Sequence, residues 1–83
     1  MEKIHLDDFL TNGILKEKEF RHQLNKKDWD CYKNKKVLIK GCSSVPVPIW
    51  SYLIITSKLQ NIAREIYFGE ISSAIKIYSK SNN

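Results

Sequence analysis

The sequence predicts a small α/β fold: a β-loop-α-β core with an N-terminal helix and a C-terminal edge strand. Three observations carry this. Lys36-Val37-Leu38-Ile39-Lys40 is a short run of β-formers bounded by lysines, the pattern of a central strand. After a Gly-Cys-Ser-Ser loop (Gly41–Ser44) and a Val-Pro-Val-Pro entry (Val45–Pro48), Ile49–Arg64 reads as a long apolar helix. Ile66-Tyr67-Phe68 then returns as a second strand. A strand, a helix and a strand in this order build a parallel sheet with the helix on one face.

The remaining elements follow in chain order. Ile4–Leu10 alternates imperfectly and reads as a short strand or an extended arm, broken by Asn12-Gly13. Ile14–Asn25 reads as a helix with a narrow stripe of Ile14, Leu15, Phe20 and Leu24. Glu17 precedes Arg21 in the favourable order for a helical ion pair, and Lys26 and Lys27 suit the negative end of the helix dipole. Asp28–Tyr32 is a connector whose Trp29 and Tyr32 share a face and cap the core.

Pro46 and Pro48 bracket the start of the long helix, where a missing N–H costs nothing. Positions 52, 55, 59, 62 and 66 follow the helical period, with Ser51, Lys58, Asn61, Arg64 and Glu65 on the wetter edge. Ile49, Leu53 and Ile54 widen the apolar face beyond one stripe. Such a helix is buried on two sides, against the sheet and against a second helix, either Ile14–Asn25 or one from another subunit. Gly69-Glu70 ends the second strand, Ile71–Ala74 is a loop, and Ala74–Tyr78 alternates as a half-exposed edge strand.

Length and composition bound the function. The 83 residues form one domain. A chain of this size buries only roughly 60–65% of its unfolded surface, so a partner subunit is a natural source of further core. The net charge is +5, with lysine (12) far outnumbering arginine (2). A local enrichment at Lys26, Lys27, Lys33, Lys35, Lys36 and Lys40 is interrupted by Asp28 and Asp30. Specific base readout leans on arginine, so the charge reads first as a solubilising face. Two cysteines, Cys31 and Cys42, do not make a disulfide framework. The acidic start lacks the apolar core of a signal peptide, and the longest near-apolar run, Val45–Thr56, is too short for a membrane span. The expectation is a cytoplasmic protein.

Several stretches bear a resemblance. Gly41–Pro48, the following Ser57-Lys58-Leu59-Gln60, and Phe68-Gly69-Glu70 with Ile77-Tyr78 are similar to a bacterial family of unknown function, domain of unknown function 2480. Ile14–Arg21, with Asp28-Trp29 and Tyr32, also resembles it, so the likeness covers most of residues 4–80. The resemblance implies a unit that longer members carry twice in tandem. The first part of this chain is similar to the head of their first unit and the second part to the tail of their second. A homodimer would then stand in for the tandem pair, as two-fold pairing commonly does. Where members often have Pro-Cys after Phe-Gly-Glu, this chain has Ile71-Ser72, so no second cysteine is offered to Cys42 there. The family brings no activity, substrate or cofactor.

Cys42 is the sharpest chemical candidate, because a thiol near a helix N-terminus has a stabilised thiolate. A cysteine phosphatase needs an arginine about six residues on; Pro48 stands there, and the next arginine is Arg64. The bland alternative is a buried space-filler. Ser43 and Ser44 read as helix caps, or with the Gly41–Ser44 amides and nearby Lys40 as ligands for a small anion. His5 and His22 lack metal-pair spacing, and neither a Cys-x-x-Cys nor a Gly-rich nucleotide loop occurs, so no metal or cofactor is implied.

The favoured reading is a non-enzymatic, dimeric binding or assembly module. Its ligand loop is Gly41–Pro48 with Gly41, Cys42, Ser43 and Ser44, and it pairs through Ile49, Trp50, Leu53 and Ile54. The alternatives are a thiol- or sulfur-handling enzyme or carrier using Cys42, and a basic accessory protein of RNA or a ribonucleoprotein.

Overall fold

The computed structural model describes residues 1–41 and 46–80. Strand β1 (Glu2–His5), helix α1 (Glu17–Lys26), β2 (Lys36–Lys40), α2 (Ile49–Leu59), β3 (Glu65–Phe68) and β4 (Ile75–Ser79) follow in chain order. The strands form a four-stranded sheet of order β1-β2-β3-β4. The first three run parallel, and β4 is antiparallel to β3.

Both crossovers step the same way across the sheet, so right-handed connections put both helices on one face. The core confirms it: Phe20 and Leu24 of α1 and Ile55 and Leu59 of α2 join Ile4, Val37, Ile39 and Ile66 of the strands in one cluster. Leu38 points to the other face, where no helix lies, yet it is fully buried. In the register it sits between Lys3 and Tyr67, whose long side chains can cover an apolar neighbour while keeping their polar ends in water.

The predicted β-loop-α-β core and edge strand are present. Four details differ. Ile4–Leu10 is neither only a strand nor only an arm: β1 joins the sheet beside β2, and Leu6–Phe9 then turns as a short 3-10 helix. The first helix begins at Glu17 rather than Ile14. Asn12 (φ 52°) and Gly13 (φ 82°) form a two-residue turn, with Thr11 and Ile14 exchanging backbone bonds of 2.7 and 3.2 Å. Ile14 is thereby held exposed at the turn.

The second helix ends at Leu59 rather than Arg64. The N–H groups of Ile62 and Ala63 both turn back to Leu59 O, and Arg64 N leaves to bond Lys35 O at 2.9 Å. Sheet capture there outcompetes further helical bonds. Ser51, expected on the wetter edge, is fully buried. Its hydroxyl donates to Pro48 O at 2.6 Å, which satisfies the buried polar atom within the first turn.

Candidate functional site

The parallel strands end together, and their carboxyl ends form a cleft of about 300 Å³, the end where ligands gather in open α/β sheets. β1 brings His5 and, just beyond it, Asp7. β2 brings Lys40 and Gly41, and β3 brings Phe68, Gly69 and Glu70. α2 lays Tyr52 across the top. Lys40 Nζ lies 3.2 Å from Glu70 Oε2. The Tyr52 and Phe68 rings meet edge to face, with centroids 4.9 Å apart. A Cβ at Gly41 would stand 2.5 Å from the Tyr52 phenol oxygen. Glycine at this strand end is thus what lets Tyr52 reach across. The lining carries both signs of charge, and Lys40 has a carboxylate partner.

Of the predicted loop residues, Gly41 borders this cleft. Cys42, Ser43 and Ser44 lie outside the described residues, and so do their expected capping, anion-binding and thiol roles. The N-cap of α2 is Pro48. The residues that sequence reasoning missed are His5, Asp7, Tyr52 and Glu70. β1 as a third parallel strand would point to two of them, His5 and Asp7, by the rule that sites follow strand carboxyl ends, while Glu70 already follows the strand at Ile66–Phe68.

The predicted interface residues divide. Ile49 and Leu53 are 76% and 65% exposed on the outer side of α2. Trp50 and Ile54 are half-buried against the core, with Trp50 meeting Phe20 at 5.7 Å between ring centroids. Beside Leu53 runs an apolar groove of about 230 Å³, lined by Ile39, Tyr52, Leu53, Thr56, Phe68 and Ile77. Its sheet side is made by Ile39 of β2, Phe68 of β3 and Ile77 of β4. Ile75 pairs with Phe68 and so faces the helix side of the sheet, and both Ile75 and Ile77 are more than half exposed.

Elsewhere the chemistry is quiet. Trp29 donates from Nε1 to Leu24 O at 2.9 Å, and Tyr32 is buried, so both cap the core as expected. Cys31 is exposed, and its Sγ lies 3.6 Å from Asp28 O. Among the described residues no group of His, Cys, Asp or Glu could hold a metal ion, and no helix is long and apolar enough to cross a membrane. On the open face, Tyr67 donates to Glu65, and Lys76 approaches the same carboxylate at 3.8 Å. Glu65 is held below the usual carboxylate range, first by the Tyr67 hydrogen bond and then, against some desolvation, by Lys76, Lys36 and Arg64.

No curated protein and no solved structure matches the chain. A family model does, over residues 1–38 and 30–80, and the chain belongs to that family, the proteins of unknown function DUF2480.

Proposed function

We propose that this chain is a cytoplasmic, non-enzymatic, homodimeric binding or assembly module. It pairs through the outer side of α2 and the groove over β4, and its ligand surface is the strand carboxyl ends around the Gly41–Pro48 loop. One observation carries the reading: the helix layer stops one strand short. α1 and α2 cover the three parallel strands, while Leu53 and Ile77 remain exposed along an apolar groove and Ile49 and Ile75 are exposed on the same two elements. A continuous apolar patch bordered by polar residues marks an interaction surface.

A second copy is the occupant that fits. Its α2 carries the same Ile49–Leu53 ridge and would supply the missing helix over β4, with a two-fold axis making each copy cover the other. α2 already packs on the sheet and, through Trp50 and Phe20, on α1, and a second copy would cover the remaining Ile49–Leu53 side. The tandem unit that the family resemblance implies is the further reason for a second copy.

The test is sedimentation velocity over a range of concentrations. The expected species has twice the 9.7 kDa chain mass. Leu53→Asp with Ile77→Asp should give a folded monomer by circular dichroism. A monomer at every concentration overturns the reading.

A further inference from the structure

We propose that the amino end of the parallel strands is a nucleic-acid-binding rim that grips the phosphate backbone without reading bases. The fold gathers Lys33, Lys35, Lys36, Arg64 and Lys80 there from three separate segments. Backbone bonds fix them as neighbours. Arg64 N donates to Lys35 O at 2.9 Å, Lys80 N donates to Arg64 O at 2.8 Å, and Lys36 pairs with Glu65 in the register. Asn34, in the left-handed region at φ 60°, turns the chain between Lys33 and Lys35 and bonds Ile62 O. All of these cations are exposed.

None of the ion pairs among the described residues involves them; those pairs are Arg21–Glu17, Lys40–Glu70 and Lys76–Glu65. The acids within the rim are Glu2, which pairs with Val37 at the amino end of β1, and Glu65, which accepts from Tyr67, pairs with Lys76 and is also drawn on by Lys36 and Arg64. Asp28 and Asp30 lie on the connector, with Asp28 Oδ1 accepting from Asp30 N. Asp7, Asp8 and Glu70 sit at or beyond the opposite, carboxyl ends of the strands. The rim therefore carries Lys33, Lys35, Lys36, Arg64 and Lys80 against Glu2 and Glu65.

Like charge works against a second copy at this rim. A phosphate backbone satisfies several cations at once, with counterion release as the driving force. Because the cations are mostly lysine, point charges rather than forks, the expected contacts position a strand without specifying its sequence.

The test is fluorescence anisotropy of labelled oligonucleotides of unrelated sequence with the full chain, over about 50–200 mM salt. The expected result is micromolar-range binding, similar for all sequences, whose log–log salt slope falls by about 0.7–0.9 for each phosphate contact. Lys35→Glu with Arg64→Glu should weaken it by at least tenfold and flatten the slope. Lys16→Glu with Lys18→Glu, the same charge change on the α1 side, should leave most of the affinity. Equal loss in both double variants would make the effect one of net charge and overturn the assignment. So would no binding at the lowest salt, or binding to phosphatidylserine vesicles that excess oligonucleotide does not displace. Circular dichroism melts check that each variant is folded.

Discussion

The α1 side and the α2–β4 side of the molecule use the same sheet face differently. On the α1 side, Phe20 and Leu24 point inward and are fully buried, while the outer face carries Lys18, Arg21, His22 and Asn25. Phe20 is held between Phe9, at 5.5 Å between centroids, and Trp50. On the other side, α2 buries Ile55 and Leu59 but also presents Ile49 and Leu53 outward. β4 there is fixed by its ladder to β3, by Tyr78 packed on the core, and by the polar Glu65–Tyr67–Lys76 cluster on the opposite face. One side closes its own core. The other holds its last strand in place without covering it, which teaches that exposed apolar surface can coexist with a fixed backbone when the ladder and polar contacts carry the strand.

The largest expected effect separates the two sides directly. Phe20→Ala should destabilise the fold by about 3–5 kcal/mol. Leu53→Ala, measured at a dilution where copies are dissociated, should stay within about 0.5 kcal/mol. Urea denaturation of both variants checks this, and a large loss in dilute Leu53→Ala would mean the chain covers that residue itself.

An intermediate effect tests the cleft between the sides. Gly41→Ala should cost about 1–3 kcal/mol, the range for overpacking, because the new methyl displaces the Tyr52 phenol from above β2. Changed near-ultraviolet circular dichroism would report the altered Tyr52–Phe68 contact.

The smallest effect concerns what holds β4. Glu65 has its folded pKa lowered from 4.5, so its contribution to stability is present above that pH and is lost as pH falls through the lowered value. Tyr67 has its pKa raised from 10.0 by the same hydrogen bond. Its contribution is present below pH 10.0 and lost as pH rises through the raised value. Tyr67→Phe should move the Glu65 carboxyl titration upward in a carbon-detected NMR experiment. An unchanged midpoint would assign the lowering to Lys76, Lys36 and Arg64 alone.

Much of this was legible in the residues. The Val37–Ile39 run, the apolar breadth of Ile49–Leu59 and the alternation at Ile75 and Ile77 reflect local period and propensity, which act over a few neighbours. They gave the α/β core, the edge strand and the expectation that α2 had more than one apolar partner. The resemblance of Gly41–Pro48 and its companion stretches also pointed to the family. The need for glycine at position 41 was not legible: its backbone is not in the left-handed region, and the reason is the close approach of the Tyr52 phenol.

Tertiary structure decided the rest. β1 is a strand because β2 offers it an edge, and a four-residue segment cannot announce that edge in its own pattern. α2 stops at Leu59 because Lys35 O captures Arg64 N, a bond between residues far apart in the chain. The cleft of His5, Lys40, Tyr52 and Glu70 and the rim of Lys35, Arg64 and Lys80 exist only after parallel pairing aligns the strand ends. Local periodicity fixes which face of an element is apolar. Pairing between distant segments fixes which charged and polar side chains meet, and that is where this molecule's candidate sites lie.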